Sequence, residues 1–78
     1  MRSMNVEEYR ELPTLRDLRK QKCMSVGEVA RALEVRENTV YRWERGFNVP
    51  PLVEALMIAR LYKTDVGRIN WWPYPLND

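Results

Sequence analysis

The chain has 78 residues, 45% of them hydrophobic and 31% charged, with a net charge of +2 and a pI near 8.9. That length makes one domain the default and limits the size of its core, while the balance excludes a disordered chain and no apolar run reaches the roughly 18 residues of a membrane span. There is no histidine and a single cysteine, which excludes Ser-His-Asp and Cys-His catalysis within the chain and the ordinary zinc spacings, so no enzyme, metal or cofactor is expected.

Residues 1–13 carry little pattern, and MRSMNVEEYRE lacks the apolar stretch of a secretory signal. From Pro13-Thr14 onward the chain reads as helical. A first helix is predicted from Leu15 to about Lys22, with Thr14 as cap and Asp17 three residues later as the capping-box acid. Leu15 and Leu18 share one face, which Arg19 joins. The lone Cys23 suits a reducing cytosol, so a cytoplasmic location is expected. Ser25-Val26-Gly27-Glu28 is a second capping box, and Val26, Val29, Ala30 and Leu33 then form one apolar stripe. This second helix ends near Leu33, with Glu34 as the turn residue.

VRENTVYRWERG, residues 35–46, predicts a third helix from about Glu37 to Arg45. Val40 and Trp43 are its apolar positions, Arg36 is a poor N-cap, and Gly46 suits a left-handed stop. Pro50-Pro51 opens a fourth helix with Leu52, Ala55, Leu56, Ala59 and Tyr62 as its stripe. Asp65 is expected to cap a short fifth helix through Ile69. The tail NWWPYPLND holds two prolines and is expected to be extended. No strand is predicted. The expected fold is all-α: four or five helices in a compact domain over 14–70, after an N-terminal segment (1–13) and before an aromatic and proline-bearing tail (71–78).

Three residues, Glu34 to Arg36, separate the second and third helices, which is helix-turn-helix spacing. Ala30 sits where the two helices must approach closely, and Val35 and Val40 fill the wedge between them. Between Thr14 and Asn48 there are eight Lys/Arg against five Asp/Glu, a mildly basic balance that a DNA-binding face could concentrate. An ordinary helical hairpin with a solvated surface has the same pattern.

LRDLRKQKCMSVGEVARALEVRENTVYRWERGFNVP resembles the phage-repressor/Cro helix-turn-helix family, also called the XRE family. The resemblance rests on Leu15, Leu18, Arg19, Ser25, Val29, Ala30, Val35, Val40, Trp43, Glu44, Gly46 and Pro50, followed by Ile58, Ala59 and Tyr62, and it needs no gap from Leu15 to Gly46. Three positions depart from the family pattern. Val26 replaces a glutamine that touches phosphate, Glu34 replaces the turn glycine and implies left-handed strain or a changed turn, and Arg36 replaces a Ser/Thr cap. SVGEVARALEV and TVYRWERG are also similar to the MerR-type winged helix-turn-helix. That family implies a wing after this motif, whereas Pro50 to Ile69 reads as helix.

The resemblance implies sequence-specific binding of double-stranded DNA by a small transcriptional regulator, with repression by occluding a promoter as the simplest mechanism. The third helix would lie in the major groove. Its first turn and the i+4 position make Glu37, Asn38 and Arg42 the base-reading candidates. Asparagine suits adenine, arginine suits guanine, and glutamate suits cytosine N4. Ser25, Arg31, Arg36, Thr39, Tyr41 and Arg45 are candidates for phosphate or sugar contacts. Arg19 and Glu44 occupy positions that form a partly buried ion pair in that family, a structural role. Ile58 and Leu61, off the main stripe, together with Trp71, Trp72 and Tyr74, would either cover the core or form a homodimer interface. The rival from another class is a protein-interaction module of the same fold, antitoxin-like or anti-repressor.

Overall fold

The computed structural model describes residues 5–72. Five α-helices follow in order: α1 (Val6–Arg10), α2 (Leu15–Gln21), α3 (Val26–Leu33), α4 (Glu37–Glu44) and α5 (Leu52–Leu61). A 3-10 turn, Val66–Arg68, closes the series. Among the described residues there is no strand, only an isolated parallel bridge between Thr14 and Asn70. The family-like helices one to four of the sequence are therefore α2 to α5.

Capping explains where the helices start. In α2 the Thr14 N–H donates to Asp17 Oδ2 (3.0 Å) while Asp17 N–H donates to Thr14 Oγ1 (3.1 Å). In α3 Ser25 and Glu28 make the same reciprocal pair at 2.8 and 3.1 Å. The short α1 has its own capping box, Asn5 with Glu8, which corrects the reading of residues 1–13 as unpatterned. It buries no residue, so no apolar periodicity advertised it.

Four of the five helix ends, those of α2 to α5, share one device. Gly46 (φ 77°) ends α4, with its N–H on the Trp43 carbonyl (3.2 Å) and the Phe47 N–H on the Arg42 carbonyl (3.0 Å). These two bonds are a Schellman motif. Three other helices stop on left-handed residues that are not glycine: Cys23 after α2, Glu34 after α3 and Lys63 after α5. Glu34 (φ 57°, ψ 44°) has the left-handed turn that its replacement of glycine implied. Each such residue costs on the order of 1 kcal/mol relative to a glycine free of Cβ crowding.

The core gathers Leu15 and Leu18 of α2, Val26, Val29, Ala30 and Leu33 of α3, Val40 and Trp43 of α4, and Ile58 and Ala59 of α5, closed by Tyr62 and Ile69. Helix α3 packs chiefly on α4, which also touches α2. Three expectations are corrected. In α5 the predicted stripe holds at Ala55, Ala59 and Tyr62 but not at Leu52 and Leu56, which are exposed, and Ile58, only 2% exposed, goes into the core instead. Leu61 is half-buried against the core. Helix α5 is apolar nearly all round, so its sequence does not say which side faces in. The expected fifth helix is only the 3-10 turn, and the Asp65 side chain caps nothing there. Helix α4 stops at Glu44, with Arg45 as its C-cap.

Residues after α5 fold back on the domain. Trp71 is half-buried against the core; its backbone N–H donates to Tyr9 Oη (2.6 Å) and its indole N–H to the Val66 carbonyl (2.8 Å). Asn70 N–H donates to the Pro13 carbonyl (2.8 Å). Ile58, Leu61 and Trp71 thus pack within the chain, not as an exposed interface. Trp72 is half-exposed, and Tyr74 lies outside the described residues.

Candidate nucleic-acid interface

Helix α4 divides into two faces. Val40 and Trp43 are each 3% exposed and hold it in the core. Beside them Glu44 meets Arg19 of α2 in a two-pronged ion pair: Nε donates to Oε2 at 2.7 Å and Nη2 to Oε1 at 3.2 Å. Arg19 Nη1 also donates to the Met24 carbonyl (3.1 Å), so the guanidinium spans α2, the α2–α3 turn and α4. The hydrogen bonds to Glu44 raise the Arg19 pKa above its ordinary value. Together these contacts fix the rotation of α4 about its axis.

The opposite face is exposed and polar. Asn38, Tyr41 and Arg42 of α4, with Arg45 and Phe47, line one shallow cleft. Asn38 and Arg42, two of the three base-reading candidates, are brought together there. Glu37 is not. Its Oε2 lies 3.2 Å from the position a Cβ on Gly27 would take, so the carboxylate rests over the first turn of α3.

That placement bears on the phosphate candidates too. The N-terminus of α3 already carries Glu28, whose carboxyl the Ser25 N–H and hydroxyl hold below the usual carboxylate range. Two carboxylates, Glu28 and Glu37, thus share the positive end of α3, and the Ser25 hydroxyl is engaged by the Glu28 amide. Both negative charges stand where a phosphate would have to approach that end of the helix. Helix α4 differs: Arg36 is exposed at its N-cap and makes no side-chain cap bond. Arg31 is exposed in the last turn of α3, Thr39 is half-buried, and Tyr41 is 45% exposed.

A second open cleft runs between α2 and α4, lined by Arg16, Arg19, Tyr41, Glu44, Arg45 and Phe47. It joins two residues absent from the sequence-derived set, Arg16 and Phe47. Arg16 is exposed one position into α2. Phe47 is 66% exposed, and the Arg42 guanidinium carbon lies 5.6 Å from its ring centroid. An aromatic directly after a helix-ending glycine was the available signal for Phe47. With Glu44 neutralised by Arg19, the free charges around both clefts are the cations Arg16, Arg42 and Arg45.

A family model described as a helix-turn-helix domain matches residues 14–72. No curated protein matches the chain, and no solved structure does. No helix among the described residues is long and apolar enough to cross a membrane.

Proposed function

The chain belongs to the helix-turn-helix domain family, a membership that points to a DNA-binding regulator, and from that premise we propose a sequence-specific repressor of the phage-repressor/Cro (XRE) type acting in the cytoplasm. In this reading α4 lies in the major groove of double-stranded DNA, with Asn38 on adenine and Arg42 on guanine. Arg36 and Arg45 hold phosphates on either side, with Tyr41, Thr39 and Arg31 as further backbone contacts. Glu37 reads cytosine only if it leaves Gly27, and Ser25 reaches phosphate only against the Glu28 and Glu37 charges. The observation that carries the proposal is the exposed Asn38–Arg42 face on a helix whose other face is locked by Trp43 and the Arg19–Glu44 pair. The MerR-type alternative is disfavoured because α5 follows the motif where a wing would stand.

Selection of binding sites from a random duplex pool tests this reading. A recovered motif with a steep loss of affinity as salt rises supports it; no motif and no salt-dependent binding to any duplex refutes it. A homodimer would select two inverted half-sites about 34 Å apart. We place its contact on the exposed α5 residues Leu52, Val53, Leu56 and Met57 rather than on Ile58. The same apolar face favours the second reading, a protein-docking module, which binds duplex weakly at every salt concentration.

A further inference from the structure

We propose that Phe47 is a positioning residue for base recognition, holding Arg42 in the orientation that reads one base pair; this rests on the assignment of Arg42 as a base reader. The argument begins with Gly46. Its left-handed backbone lets the Phe47 N–H return to the Arg42 carbonyl at 3.0 Å. In this type of helix ending the residue after the glycine commonly makes an apolar contact with the very residue whose carbonyl it binds. Here that residue is an arginine, and the contact becomes a cation over a ring, at 5.6 Å. Residues 42 and 47 are therefore joined twice, through the backbone and through the side chains.

The consequence is a preorganised guanidinium. A free surface arginine spreads over many rotamers and loses that freedom when it binds. The ring attracts the guanidinium as a cation over its face, at 5.6 Å, without using an acceptor, so the arginine N–H groups are not consumed by any hydrogen bond to Phe47 and are the groups that form the paired bonds to guanine O6 and N7. Phe47 has no core role that would explain it, being 66% exposed. Its ring lines the same cleft as Asn38 and Arg42.

The test measures binding of the full chain to its selected duplex and to that duplex with each base pair changed in turn. Phe47→Ala is expected to lose about 2- to 5-fold of discrimination. The loss falls at the base pair that Arg42→Ala also relaxes, with the melting temperature and salt slope unchanged. Phe47→Trp keeps the discrimination, Phe47→Leu loses it as alanine does, and Phe47→Ala adds nothing in an Arg42→Ala background. A uniform loss of affinity for every duplex, a loss that persists without Arg42, or full discrimination in Phe47→Leu overturns the proposal. If Arg42→Ala leaves every base preference intact, the base-reading assignment fails and Phe47 falls with it. If Arg42→Ala relaxes one position and Phe47→Ala none, only the role of Phe47 fails.

Discussion

The two faces of α4 share eight residues and almost nothing else. The inward face is over-determined: Val40 and Trp43 in the core, Glu44 held at two oxygens by Arg19. On the outward face the side-chain restraint among the described residues is the Phe47 ring beneath Arg42. The contrast teaches that rigidity of the helix and adaptability of its reading surface are supplied by different residues. Changes on one face should act on stability and leave preference alone; changes on the other should do the reverse.

The sharpest way to break that division is at Glu44. Removing one partner of a mostly buried pair strands the other charge, so Glu44→Ala should cost about 3 kcal/mol. Glu34→Ala, on the surface, should stay within about 0.5 kcal/mol. Equal melting temperatures for the two variants would remove the pair from the inward face's account. Next is alkaline pH. Burial, with Glu44 nearby, pushes the Tyr62 hydroxyl up to about 12. The unfolded tyrosine ionises near 10, so its contribution is complete below pH 10 and is lost as pH rises toward 12. Up to about 2 kcal/mol should disappear over that window in denaturant titrations, and Tyr62→Phe should flatten this part of the profile.

On the outward face, Asn38→Ala and Arg42→Ala should each relax one base position by about 1–3 kcal/mol of discrimination, with melting temperatures unmoved. Unchanged selected motifs would refute the assigned face. Glu34→Gly, in the turn between α3 and α4, should stabilise by about 1 kcal/mol through relief of its left-handed backbone. A destabilised variant would mean that the Glu34 side chain, not its backbone, matters there. The smallest effect is at Gly27, where a Cβ would press only on the flexible end of Glu37. Gly27→Ala should raise stability by about 0.5 kcal/mol as measured by chemical denaturation, and it would show whether Glu37 yields cheaply.

Much of this division is legible in the residues. The capping boxes at Thr14 and Ser25, the turn at Glu34 and the stop at Gly46 are local signals, and α2 to α4 follow from them. Glu44 beside Trp43 was likewise readable, since an unpaired carboxylate on that face would be costly. What was not legible is what depends on tertiary choice. Helix α5 presents apolar groups on most sides, so only packing decides that Ile58 goes in and Leu52 stays out. Helix α1 buries nothing, and its Asn5–Glu8 box lacked the periodic residues that would have drawn notice. Glu37 lay on the right arc for reading bases, but its carboxylate turns to Gly27, a neighbour that helical spacing within α4 does not reveal.

The clasp between the first and last described segments has a consequence for how the domain assembles. Trp71 N–H reaches Tyr9 Oη across 62 residues of chain, while Asn70 pairs with Pro13 and Thr14. A contact so remote in sequence must meet the loop-closure cost before it returns any free energy. The α3–α4 hairpin, built from neighbours, has no such delay. Contact order therefore favours nucleation at the hairpin that carries the proposed reading helix. A clasp that closes after the barrier would slow escape from the native state without hastening arrival, so Tyr9→Phe is expected to speed unfolding and leave the folding rate unchanged in stopped-flow measurements.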